Sequence, residues 1–396
     1  MQTHPPLIQG TVATGFELVE QEFQRNFAKR RELGAACAIY YRGEKVVDLW
    51  GGYRDVEKQL RWEEDTLILV FSTTKGVAAV AVAVAHARGL FDYDEKVSTY
   101  WAEFAQNGKA NITVRQLLSH QAGLCAIDES LNVDNMGDVE TVSRIIAQQK
   151  PAWEPGTRHG YHAFSLGFYE SELIRQVDPQ QRTLGQYFRD EVAKPLGLEF
   201  YIGLPDDVPA SRIATIHEQQ QSQYLFNLHK IPPAALLAFI TPGSLIMRTL
   251  TNPTFRGGFN NREVHRLEIP SVNGIGQVRD IAKAYSELAT GGKTLGIRQD
   301  TLAALSQTAQ PPSGGNFDMV LRTPTNFSLG YIKPFRQAPF GSESAFGHPG
   351  AGGSFAFADP KHELAFAYAM NRMDYYLIND PREVALRNAM YRCLHL

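Results

Sequence analysis

The chain has 396 residues, 43% hydrophobic and 20% charged, a balance that excludes an intrinsically disordered protein and leaves room for two or three domains of ~100–200 residues each. Its 39 basic and 42 acidic residues give a net charge of −3, which argues against a nucleic-acid binder or an electrostatic membrane docker. Three widely spaced cysteines, Cys37, Cys125 and Cys393, form no CxxC pair and cannot complete a disulfide framework, so a reducing cytoplasm is the expected location. Residues 1–6 lack the basic start and apolar core of a secretory signal. The longest apolar run, Val77 to Ala85, is about half of the ~20 residues a membrane span needs.

In chain order, Phe16, Val19, Phe23 and Phe27 recur at helical spacing and predict a first helix. Two β-prone runs, Ala35 to Tyr41 and Val46 to Trp50, flank Arg42-Gly43-Glu44-Lys45 and predict a hairpin. Ile112 to His120 predicts a helix with Thr113 as its N-cap, and Val278 to Leu288 another, stopped by Gly291-Gly292. The polar stretch 219–223 carries no assignable pattern. Gly353 to Ala358 and Glu363 to Ala369 predict strands, and Pro381 opens a final helix, Arg382 to Cys393. Strands at both ends with helices between them predict one sheet built from both termini. The expected division is an α/β (α+β) domain from 1–98 and 326–396 and a mainly helical domain from 99–325, with the active site in the cleft between them.

The stretch richest in chemistry is Phe71-Ser72-Thr73-Thr74-Lys75-Gly76, followed by the apolar run. Residues three apart share a helix face, so Ser72 and Lys75 meet in a first turn. A serine hydroxyl is a weak nucleophile until a base takes its proton. A lysine serves if burial lowers its pKa. The free N–H groups of a helix start can hold an oxyanion.

Three further segments accompany it: Leu117 to Leu124 (Leu-Leu-Ser-His-Gln-Ala-Gly-Leu), Trp153 to Ala163 (containing Tyr161-His162-Ala163), and Gly347-His348-Pro349-Gly350-Ala351-Gly352-Gly353-Ser354. Their order and separations resemble the β-lactamase-related serine hydrolases, most of all the class C β-lactamase-like carboxylesterases called family VIII. Pro270 to Gly274 and the helix ending at Gly291-Gly292 are similar to the same group, and the resemblance runs from about Phe16 to Met370. It implies the β-lactamase and penicillin-binding-protein fold: a mixed antiparallel sheet flanked by helices, plus a mostly helical domain. It implies Ser72 as the acylated nucleophile, Lys75 as its partner, and Tyr161 sharing the proton transfer. His348-Pro349-Gly350 matches the Lys-Thr-Gly strand motif, which assigns His348 and Gly350 to substrate binding. Ala351 would give the second oxyanion N–H beside that of Ser72.

Two departures bear on substrate. The lactamase Tyr-x-Asn amide is absent, because Ala163 stands there. The Lys-Thr-Gly lysine is His348, largely neutral at pH 7 at its ordinary pKa. Both weaken the grip on a β-lactam and point to hydrolysis of small short-chain esters, with β-lactams as weak secondary substrates. A β-lactamase, D-amino-acid peptidase or amide hydrolase on the same scaffold, and a non-catalytic penicillin-binding-like sensor, are the alternatives. A phenol beside an ammonium has its pKa lowered, so Tyr161 could also be the base; sequence leaves the choice with Lys75 open.

No metal or organic cofactor is implied, since His159 and His162 lack a third ligand. No nucleic-acid or membrane partner is implied either. Ser165 in Ala-Phe-Ser-Leu-Gly lacks the strand–elbow–helix context of an esterase elbow and is expected to pack a helix. Cys125 is expected to be a buried structural thiol, and His120 to lie outside the site. Pocket walls are expected from 127–142 and 219–248.

Overall fold

The computed structural model describes residues 7–218, 237–238, 241–376 and 378–396. The polar 219–223 stretch, and 219–236 with 239–240 of the expected pocket wall, lie outside the described residues. The strands that build the site's scaffold are β1 (Ile8–Val12), β2 (Gly34–Tyr41), β3 (Glu44–Asp55), β4 (Leu60–Arg61), β5 (Ile68–Leu69), β6 (Phe200–Tyr201), β7 (Ile275–Gly276), β8 (Phe346–Pro349), β9 (Phe355–Asp359) and β10 (Leu364–Met370). The helices that matter here are α1 (Glu17–Lys29), α2 (Thr73–Ala87), α3 (Val114–Leu118), α4 (Ser165–Val177), α5 (Val278–Ala289) and α6 (Pro381–Cys393).

The main sheet has the order β1-β3-β2-β10-β9-β8, with β4 paired to β3, and every pairing is antiparallel. The predicted hairpin is β2–β3, closed by Arg42 and Gly43, both at positive φ, as a two-residue turn requires. β3 is longer than its apolar run because pairing with β2 carries it back to Glu44 and pairing with β4 carries it on to Asp55.

Side chains alternate across a strand, and here they sort by size. Cys37, Ile39, Val47, Leu49, Phe355, Phe357, Phe366 and Tyr368 pack with Phe16, Val19 and Phe23 of the α1 region and Leu386, Ala389 and Met390 of α6. The other face presents Ala38, Ala356, Ala358, Ala365, Ala367 and Ala369 to the core that holds α2 and α5. Methyl groups let helices lie close to the strands. The register keeps them in rows, with Ala38 opposite Ala367 and Ala367 opposite Ala356.

α5 packs against β2, β9 and β10, so this helix, assigned by sequence position to 99–325, sits on the sheet instead. Its Ile281, Tyr285 and Leu288 are buried there. All fifteen residues of α2 are buried, as an apolar-all-round helix demands. A small sheet, β5-β7-β6, ties the strand before α2 to the chain around residue 275. α3 begins at Thr113, whose side chain forms a capping box with Gln116. α6 follows Asp380, whose carboxylate accepts from the Arg382 N–H. Among the described residues, no helix is long and apolar enough to cross a membrane.

Candidate active site

β5 delivers the chain to Ser72 through a tight turn. Phe71 stands at φ 48°, a left-handed conformation that is strained for a bulky residue. Its ring packs edge-on against Phe259 at 5.1 Å, and Val70 donates to the Gly274 carbonyl at 3.0 Å. Ser72 occupies the N-cap position of α2, yet its side chain makes no capping bond. Instead Lys75 Nζ lies 3.2 Å from Ser72 Oγ.

Lys75 is fully buried. Its Nζ donates to the carbonyls of Ala163, at 2.6 Å, and Ser271, at 2.9 Å. Burial pushes its pKa down to about 7, opposed only by the charge of Glu170. Glu170, on α4, is itself buried, with neither carboxyl oxygen hydrogen-bonded among the described residues, and burial raises it to about 8. Sequence reasoning missed the two carbonyl acceptors, which any residue type would supply. It also missed Glu170.

Tyr161 is hydrogen-bonded to Ser72 through its hydroxyl. Lys75 Nζ is 4.9 Å from its ring centroid. Its ring stacks with His348, centroids 5.8 Å apart and planes 30° apart. The expected lowering of the phenol is reversed: burial pushes it up, with Asp318 adding to the rise. A lysine that is itself half-neutral near pH 7 supplies little positive charge to offset burial.

His348 is buried and in register with Ala356 on β9. Its Nδ1–H donates to the Pro349 carbonyl at 2.7 Å, which leaves Nε2 as a bare acceptor without a partner among the described residues. Burial first, and then the Lys75 charge, push it down to about 3. It is therefore a neutral ring at pH 7.

Past His348, the chain turns at Gly350 and Ala351. A Cβ on Gly350 would stand 2.2 Å from Ser354 Oγ and 2.4 Å from the Val70 carbonyl, so only glycine fits. Ser354 Oγ donates to the Val70 carbonyl at 2.9 Å and meets Thr73 Oγ1 at 3.0 Å. These bonds pin the turn onto the start of α2. The N–H groups of Ser72 and Ala351 have no acceptor among the described residues. Ala351 is exposed, and Ser72 partly so. Gly76 makes the second close approach: its missing Cβ leaves room for Tyr285 Oη and the His348 side chain.

The structure thus gathers Ser72, Lys75, Tyr161 and His348, with Gly350 and Ala351 in the adjoining turn. It also adds His120, whose ring lies 5.3 Å from that of Tyr161. The resemblance implies a structural role for His120 outside the site, and its Nδ1 indeed accepts the His162 N–H. His162 accepts from the Leu124 N–H and donates to the Gly160 carbonyl, while His159 Nε2 bonds the Asn316 carbonyl. Both rings are committed to the backbone. Ser165 opens α4 and donates to the Leu124 carbonyl. Cys125 is buried with Ile246 and Val320 beside Tyr161 and Trp153, and burial raises its thiol to about 11.

Fold and site together define a β-lactamase-fold hydrolase. The chain belongs to the Beta-lactamase family, whose model matches residues 19–389. It is 33% identical over 385 residues to the esterase/beta-lactamase LipL of Mycobacterium tuberculosis, across 92% of this chain and 83% of that protein. The crystal structure of a family VIII carboxylesterase is 37% identical with a TM-score of 0.86, covering 98% of this chain and 100% of that one. A penicillin-binding protein homolog from Caulobacter crescentus is 34% identical with a TM-score of 0.83, over 98% of this chain and 100% of that chain.

Proposed function

We propose that the protein is a serine carboxylesterase that hydrolyses small, short-chain esters through an acyl-enzyme on Ser72, with Lys75 as the general base. One observation carries this reading: the three hydrogen-bonding directions of Lys75 Nζ. A neutral amine has two N–H groups and one lone pair. The carbonyls of Ala163 and Ser271 take the two N–H groups. The remaining direction meets Ser72 Oγ, which aims the lone pair at the proton to be removed.

In acylation, the Ser72 proton passes to Lys75 and Oγ attacks the ester carbonyl carbon. The N–H groups of Ser72 and Ala351 receive the developing oxyanion. Tyr161, hydrogen-bonded to Ser72, gives its phenolic proton to the departing alkoxide and regains one from the Lys75 ammonium. Water then enters where the alcohol left and the same groups run in reverse. His348 and Gly350 line the acyl-binding strand edge. The sheet from the two chain ends and the 99–325 segment would form the two walls around Ser72.

The neutral His348 favours esters over β-lactams, because no fixed cation is present at the Lys-Thr-Gly position to hold a carboxylate. The names of the similar LipL and family VIII proteins support the esterase class. The test is intact-mass spectrometry after exposure to a panel of p-nitrophenyl esters and lactams. An acyl adduct should form with short esters and vanish in Ser72→Ala, whose kcat should fall ~10⁴–10⁶-fold with its melting temperature kept. A folded Ser72→Ala protein retaining more than a few per cent of activity would refute the assignment.

A further inference from the structure

Tyr161 sits on an irregular stretch, outside any helix or strand, yet the proposed mechanism needs its hydroxyl held at Ser72. The support comes from 157 residues away. Asp318 is completely buried. Its Oδ1 accepts three backbone N–H groups: Tyr161 at 3.2 Å, Val320 at 2.8 Å and Leu321 at 2.7 Å. Val320, whose amide it holds, packs its side chain in the apolar group that touches Tyr161 and Trp153. One carboxylate oxygen therefore fixes both the backbone of Tyr161 and a residue packed around it.

The rest of the loop serves the same geometry. Asp318 N–H donates to Thr323, Thr325 N–H to Asn316, and Arg322 N–H to the Asp318 carbonyl. These bonds close 316–325 into a tight fold with the carboxylate turned inward. The loop and the residues just before it run alongside the Tyr161 segment, with Gly314 N–H on the Thr157 carbonyl and Met319 N–H on that of His159. No cation pairs with Asp318 among the described residues. A buried carboxylate held by three backbone amides and the Thr325 hydroxyl, with no cation to offset its charge, is an expensive way to close a loop. The amide it reaches at Tyr161 gives it a purpose.

We propose that Asp318 is the positioning residue for Tyr161, acting through the Tyr161 amide and Val320 to hold the phenol at Ser72. This rests on the role given to Tyr161 above. Asp318→Ala leaves three buried N–H groups without their acceptor, while Asp318→Asn keeps a carbonyl oxygen in the same place.

The experiment is a double-mutant cycle on p-nitrophenyl butyrate hydrolysis, with Asp318→Ala and Asp318→Asn each made in wild-type and Tyr161→Phe backgrounds, and melting temperatures measured throughout. With Tyr161 present, Asp318→Ala should lower kcat ~10–100-fold with KM changed much less, and Asp318→Asn should recover most of that loss. In Tyr161→Phe, either substitution should change kcat less than ~3-fold, while any fall in melting temperature persists in both backgrounds. Equal losses of kcat in the two backgrounds overturn the proposal, because they mark a merely structural residue. Wild-type turnover by Tyr161→Phe would instead sink the mechanistic reading of Tyr161. Positioning is then decided by the crystal structure of Asp318→Asn, or of Asp318→Ala: a displaced Tyr161 ring supports it, and an unmoved ring overturns it.

Discussion

The acid limb of the pH–rate profile is the sharpest consequence of the Lys75 environment. Lys75 must be neutral to take the Ser72 proton, and burial has pushed its pKa down to about 7. The neutral fraction then climbs from about one tenth at pH 6 to about nine tenths at pH 8, so kcat/KM should rise roughly tenfold over that interval and level off. An ordinary lysine behaves otherwise: its neutral fraction gains about tenfold per pH unit up to pH ~10, with no plateau in between. Neighbouring rings do not blur the limb, since His348 is pushed down to about 3 and His120 well below its usual range, both mainly by burial. Besides Asp318, which burial raises to about 6, Glu170 also changes state in this window, raised to about 8. Glu170→Gln removes it, and the limb should survive without moving upward, because the carboxylate's attraction for the ammonium is gone. The assay is stopped-flow acylation by p-nitrophenyl acetate from pH 5 to 9.5, corrected for spontaneous hydrolysis. A rate that keeps rising tenfold per unit through pH 9, or a flat profile, would refute Lys75 as a base tuned by burial.

Three more outcomes follow from the same geometry. Lys75→Ala and Tyr161→Phe should each cut kcat severely, and the double mutant should be little worse than the poorer single one; fully multiplicative losses in steady-state kinetics would separate their roles. Gly350→Ala should lower the melting temperature, at ~1–3 kcal/mol for an overpacked site, and reduce kcat at least ~10-fold by lifting the Ala351 N–H away from Ser72. Benzylpenicillin should be turned over ~10²–10⁴-fold more slowly than p-nitrophenyl butyrate, at ~1.5–3 kcal/mol for each missing charged or amide hydrogen bond. That ratio should be no smaller at pH 6 than at pH 8. Penicillin turnover that matches the ester and strengthens at low pH would mean that His348 carries a proton after all.

Much of this molecule was legible because its signals are local. The β2–β3 hairpin, the Thr113 cap, the Pro381 start and the apolar Val77–Ala85 run of α2 each depend on residues within one element. The Ser72–Lys75 contact follows from helical spacing alone. What escaped depends on distant chain segments or on the backbone. The carbonyls of Ala163 and Ser271 that orient Lys75 carry no residue signature. Asp318 meets Tyr161 only through tertiary folding. Proximity to Lys75 alone predicts a lowered phenol at Tyr161, but burial raises it and also weakens that lysine's charge. α5 looked like part of a helical middle segment, since sequence position says nothing about the alanine-faced sheet on which it rests.

That alanine face has an implication for how the enzyme's relatives could diversify. α5, whose Tyr285 meets α2 at Gly76, lies on side chains that have no χ angle to adjust. Rotamer changes beneath α5 therefore cannot retune the helices, and a larger residue there would displace α2, and with it Ser72 and Lys75, while leaving the Tyr161 stretch on its own supports. Variation in substrate preference is therefore channelled to the opposite side of Ser72, where the Tyr161 stretch and the 316–325 loop are held by hydrogen bonds that can be exchanged one at a time. The floor acts as a fixed datum, and new specificities are free to arise only from the roof.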